Sequence, residues 1–200
     1  MNKNISKKFI NAVLRKCSSL RFVNGVFYSD GNADILSGFY CEKMRSGFAI
    51  YLLAMPMYIK ADNIVLHYSK YLSQNDRYLE YLPGEEDFSA EVFFQKTKAY
   101  GDEVEELKKV DFFAKYLDTF WNEDPVIIKA KFMSFAFLGQ YGRADALIDV
   151  MKKLKYDLDD EFIKEVYIVL RAYTENKDRA AIEEIFLNNK IYTKRAVGLM

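Results

Sequence analysis

Residues 47–59 read GFAIYLLAMPMYI, the longest apolar run in the chain. It falls well short of the roughly 18 residues a membrane helix needs, and Pro56 interrupts it. Within it, Phe48 to Met55 is continuously apolar and rich in Tyr, Ile and Leu. Such a run suits a strand buried on both faces, with Pro56 ending it or marking a bulge. The fold therefore contains a sheet, and the neighbouring stretches say of which kind.

Turn signals lie close on the N-terminal side: Asn24-Gly25, Asp30-Gly31-Asn32 and Ser46-Gly47. Between the last two runs Ala33 to Arg45, long for a strand, in which Ile35, Phe39 and Cys41 share one parity. Ile64 to Tyr71 (IVLHYSKY) reads as a further strand. Connections this short imply antiparallel pairing, because parallel strands need a longer crossover. Ahead of the sheet, residues 3–19 predict a helix, with Ile5, Phe9, Ile10, Val13, Leu14 and Cys17 in one stripe.

Pro83-Gly84 breaks the strand pattern, and helical spacing takes over. Helices are expected at 88–99 and 103–120. Asp124-Pro125 then supplies a cap and a proline at the first helical position. Further helices are expected at about 125–139, with Ile128, Phe132, Phe135 and Ala136 inward, and at 143–155, 159–174 and 177–189. Two Arg-Ala pairs, Arg143-Ala144 and Arg179-Ala180, lie 36 positions apart. Two such units are too few for a solenoid and read as packed helical hairpins. The expected fold is α+β in a single domain spanning 1–200. A helix and an antiparallel sheet of four or five strands fill 1–82, and a helical region, 83–200, packs against them.

Composition narrows the function classes. The 200 residues carry 29 basic and 29 acidic side chains, which excludes a generally basic nucleic-acid binder. Sixteen Phe, 15 Tyr and one Trp exclude a disordered solvating chain. Cys17 and Cys41 read as reduced thiols in a chain large enough to need no staple. Lys3, Lys7 and Lys8 resemble a signal-peptide start, but Asn11 and Arg15-Lys16 interrupt the apolar stretch that should follow. A soluble cytoplasmic protein is the expectation.

Enzymatic templates are missing: no phosphate-cradling glycine loop, no GxSxG, no HExxH, no CxxC. His67 is the sole histidine and reads as a mid-strand imidazole without a catalytic role. Asp157, Asp159, Asp160 and Glu161 read as the cap of the helix they precede rather than as a metal site. No catalytic residue, cofactor or metal is expected.

Charge placement says more. Residues 1–29 hold Lys3, Lys7, Lys8, Arg15, Lys16 and Arg21 and no acidic residue, a local charge of +6. Residues 80–106 hold Glu80, Glu85, Glu86, Asp87, Glu91, Asp102, Glu103, Glu105 and Glu106 against Lys96 and Lys98, a local charge of −7. The simplest reading is a solvated face. The functional one is an acidic docking surface that steers a basic protein partner. The basic first helix is expected to touch nucleic acid or to pack beside the acidic segment. Most of Tyr40, Tyr51, Tyr58, Tyr68, Tyr71, Tyr78 and Tyr81 read as half-buried sheet residues with the hydroxyl reaching water, and a few exposed on one face would make an interface anchor.

The order of elements is similar to that of small bacterial domains of unknown function found among immunity-type proteins of toxin systems. The likeness rests on Arg21-Phe22, Asn24-Gly25 and Phe27-Tyr28, on Val110-Asp111-Phe112-Phe113-Ala114-Lys115-Tyr116, and on Leu138-Gly139-Gln140-Tyr141-Gly142-Arg143-Ala144. It spans about residues 5–155. What the resemblance implies is an immunity protein that binds and neutralises a toxin domain. The expected function is thus a cytoplasmic protein-binding module, with a basic toxin domain as its partner. The alternatives are an enzyme using carboxylates and tyrosines in a sheet-helix cleft, or a nucleic-acid binder using the first helix.

Overall fold

Asn24 and Gly25 both have positive φ, 45° and 93°, as a two-residue hairpin turn of the primed type requires. They join β1 (Arg21–Val23) to β2 (Val26–Tyr28). The computed structural model describes residues 5–29, 33–154, 164, 166, 168–169, 171–172 and 179–200. β3 (Ile35–Lys43) pairs antiparallel with β2 and with β4 (Gly47–Pro56). The far edge of β4 is shared. Its Tyr51–Leu53 stretch pairs with β5 (Ser69–Tyr71), and Gly47–Ala49 pairs with β6 (Tyr78–Glu80). Among the described residues the sheet is antiparallel and five strand positions wide, the last filled by two short segments end to end.

β4 is the strand expected from its apolar run. Nine of its ten residues are buried, and Pro56 is the last of them. Its alternate residues serve two clusters. Phe48, Ile50, Leu52 and Ala54 join Phe27, Ile35, Phe39 and Cys41 in the main core, under the helices. Leu53 and Met55 join Val26, Tyr28, Leu36 and Tyr40 on the second face, with Met57 and Val197 over them.

α1 (Lys7–Lys16) docks through Phe9, which stacks on Phe48 with ring centroids 5.2 Å apart and meets Phe27 and Phe93 edge-on. Burying one such ring contributes about 1.5–3 kcal/mol. α2 (Glu86–Thr97) lies alongside α1. α3 (Gly101–Leu107) rests on β3 and β4, and the buried Ser37 hydroxyl donates to the Val104 carbonyl at 2.8 Å. α4 (Val110–Tyr116), α5 (Pro125–Phe137) and α6 (Tyr141–Lys153) follow, and α7 (Arg179–Ala196) closes the described chain. The main cluster contains residues of both halves, from Phe9 to Phe186.

Several expectations are corrected. The helix expected at 103–120 is two, because Lys109 is extended (φ −87°, ψ 128°) between α3, which packs on the sheet, and α4, which packs on α5. The strand expected at 64–71 shrinks to 69–71, since Ile64, Val65 and Leu66 fold onto the second-face cluster instead of pairing. α1 ends at Lys16, short of residue 19, where Cys17 turns extended. α5 buries every residue from Ile127 to Ala136 rather than one stripe, because α4, α6 and α7 all pack on it. The acidic group at 157–161 lies outside the described residues, as do most positions of the helix expected at 159–174; positions 164, 166, 168–169 and 171–172 are helical.

Candidate functional site

Strand alternation sets the second face beyond its apolar cluster. On β3 it carries Tyr40 and Glu42, on β4 Ala49 and Tyr51, on β5 Tyr71, and on β6 Tyr78 and Glu80, of which Tyr40 and Ala49 are buried. Tyr40 pairs with Tyr51, and Tyr51 with Tyr71, so three tyrosines form a rung across three strands. The Tyr51 and Tyr71 rings stack with centroids 4.2 Å apart, and Tyr40 lies 5.9 Å from Tyr51. Tyr51 donates its hydroxyl proton to Glu42 at 2.6 Å. Its oxygen also lies 2.7 Å from the Tyr71 hydroxyl; with one proton per phenol, Tyr71 is then the donor of that pair.

Burial, and then the hydrogen bond to Glu42, hold the Tyr51 phenol well above the ordinary tyrosine range, so it stays neutral. The Arg77 guanidinium lies 5.9 Å from the Tyr71 ring centroid, and the Tyr78 and Ser46 hydroxyls are 2.8 Å apart. Tyr71 is 54% exposed and Tyr78 40%. Each ring is held by its neighbours while still offering a surface, which lowers the entropy lost on binding.

No family model, curated protein or solved structure matches this chain.

The nine acidic candidates fall in three places. Glu80 sits on the tyrosine face. Glu85, Glu86, Asp87 and Glu91 lie at and beyond the start of α2. Asp102, Glu103, Glu105 and Glu106 lie on α3. Much of this charge is answered within the chain. Arg15 and Lys16 of α1 bond Asp87 and Glu91, each at 2.7 Å. Lys70 bonds Glu103, Lys108 bonds Glu105, and Lys109 bonds Glu106. Glu86 accepts from the Tyr81 hydroxyl and the Gly84 N–H, and backbone N–H groups hold its carboxyl below the usual range. Of the two roles considered for the basic first helix, packing beside the acidic segment is the one the geometry displays.

The other candidates are placed as follows. His67 is exposed in a turn, not mid-strand, as a consequence of the shortened β5. Cys41 is buried, and burial pushes its thiol up; Cys17 is half-buried, its sulfur 3.1 Å from the Ser19 hydroxyl. Tyr40, Tyr58 and Tyr68 are buried rather than half-exposed. Among the described residues no group of three or more His, Cys, Asp or Glu could hold a metal ion, and no helix is long and apolar enough to cross a membrane. A cavity of about 220 Å³ opens at the end of β4.

Sequence reasoning missed Glu42 and Arg77 as members of the site. The Tyr-x-Glu alternations at Tyr40–Glu42 and Tyr78–Glu80 carried the signal, but their common face depends on the register between strands.

Proposed function

We propose that this protein is a protein-binding module of the cytoplasm, an immunity-type protein that docks a basic toxin domain on its tyrosine-and-carboxylate sheet face. The observation that carries the reading is the display of Tyr51, Tyr71 and Tyr78 on one face, flanked by Glu42 and Glu80. Tyrosine is enriched in binding hot spots because a rigid ring offers large contact area with a polar tip. The two carboxylates complement a basic partner and steer its approach. The acidic residues of α2 and α3, mostly paired within the chain, add a weaker field behind this face.

The test is co-expression with the toxin encoded beside its gene, followed by calorimetry on the purified pair. Growth is restored, and Tyr71→Ala weakens binding by about thirtyfold, the loss of a hot spot of about 2 kcal/mol. Glu80→Lys slows association several-fold, more so at low salt. If no neighbouring toxin is neutralised, or Tyr71→Ala binds as tightly as the wild type, the reading is wrong.

A further inference from the structure

Glu42, Tyr51 and Tyr71 form a hydrogen-bonded row on the tyrosine face, and the direction of its protons decides what can join it. Tyr51 donates to the Glu42 carboxylate at 2.6 Å, and Tyr71 donates to the Tyr51 oxygen across 2.7 Å. Both phenol protons are therefore spent within the row, and the Tyr51 phenol, held neutral, keeps its own. What the row has left to offer is acceptors only: the remaining carboxylate lone pairs and those of the phenol oxygens. Glu42 is half-buried and, among the described residues, has no ion pair. Its unused acceptor capacity must be met by water or by another molecule.

We propose that this row is the subsite for one arginine side chain of the basic partner, its guanidinium pairing with Glu42 and lying along the phenol oxygens. That arginine belongs to the partner named above, so the assignment rests on the docking reading; what it adds is the residue type and its receptor. A guanidinium carries five N–H donors in one plane and no acceptor, which matches a row of acceptors. An ammonium is a compact, strongly hydrated point charge and cannot spread its donors in this way. Guanidinium groups also rest favourably against aromatic rings. The chain holds its own example: the Arg77 guanidinium lies 5.9 Å from the Tyr71 ring centroid, at the end of the row away from Glu42. An anion would find no free proton on the row and would meet the Glu42 carboxylate.

Titration of the ¹⁵N-labelled full chain with N-acetylarginine amide, N-acetyllysine amide and the uncharged isostere N-acetylcitrulline amide reads the subsite directly. The arginine probe shifts the amides of Glu42, Tyr51 and Tyr71 in a saturable way. The lysine and citrulline probes bind at least about tenfold more weakly, the worth of one charge-assisted hydrogen bond. Glu42→Gln weakens the arginine probe by about the same factor. Tyr51→Phe, which breaks the row, weakens it several-fold and narrows its preference over lysine. Asp149→Asn, the same loss of charge on α6, changes neither. Should Glu42→Gln fail to fold, Tyr51→Phe and the wild-type ratio of arginine to lysine carry the decision. The proposal is overturned if the arginine probe gives no saturable shift, if lysine or citrulline binds as well, or if Glu42→Gln and Tyr51→Phe both leave arginine affinity intact. A toxin neutralised by a chain whose row ignores arginine sinks this assignment alone. An arginine probe seated at Glu42 with no toxin neutralised sinks the docking reading and leaves the guanidinium site standing.

Discussion

Two glycines of the sheet have no room for a methyl group. A Cβ on Gly38 would lie 2.1 Å from the Phe27 carbonyl oxygen, and one on Gly47 would lie 2.0 Å from that of Leu79. The obstacle is backbone in both cases, so relief would require strands to move apart. Gly38→Ala is expected to cost at least about 2 kcal/mol by urea unfolding, through overpacking at a position that cannot yield. Gly142, in the first turn of α6, has nothing within 4 Å of the same added atom. Gly142→Ala should leave stability unchanged or raise it by less than about 1 kcal/mol. At this scale the chain was legible where one residue type forces one conformation, as at Asn24-Gly25. It was not legible where the constraint comes from a facing strand, and the same register dependence hid Glu42 beside Tyr51.

At the scale of elements, charge and capping decide how helices start and dock. Asp124 accepts from the Val126 N–H at 2.8 Å, with Pro125 at the first position of α5. Asp124→Ala is expected to cost about 1 kcal/mol, read as a lower Tm. The α1–α2 pair offers a sharper test. The Lys16 ammonium beside Glu91 holds that carboxyl below its ordinary value of 4.5. A carboxylate more acidic folded than unfolded stabilises the fold above the unfolded value and loses that contribution as pH falls through the folded one. The clasp should therefore weaken only below about pH 4.5. In an NMR titration, Lys16→Met should return Glu91 toward 4.5 while Glu86, held first by backbone N–H groups, stays low. Element boundaries were legible where Pro or a cap marks them. The break at Lys109 has no such residue: it arises because Leu107 and Val110 are both buried on helices with different partners.

At the scale of the molecule, the zero net charge is partly an internal cancellation, and the last helix reaches back to the first half of the chain. α7 lies across the connection that follows β4. The buried Thr193 hydroxyl donates to the Ile59 carbonyl and accepts from the Ala61 N–H, both at 3.0 Å. Lys190 bonds Asp34, Tyr192 bonds Asp62, and the Asn24 amide donates to the Val197 carbonyl at 3.0 Å. These contacts span 130 to 173 positions of sequence, which is why no local pattern announced them. Their effect is to cover the apolar half of the second face and leave the tyrosine half open. Val197 is fully buried among Val26, Tyr28, Leu36, Leu53, Met55 and Met57. Val197→Ala removes two methyl groups and is expected to cost about 1.5–2.5 kcal/mol. Thr193→Val strips the buried Ile59 carbonyl and the part-buried Ala61 N–H of their partner and should cost about 1–3 kcal/mol. Hydrogen exchange locates the damage: in both variants protection falls first at β2 and the 57–61 connection, while α1 and α2 keep theirs. Uniform loss across the whole chain would mean that the end of α7 over the second face unfolds only together with the main core, which its Ile182 and Phe186 join.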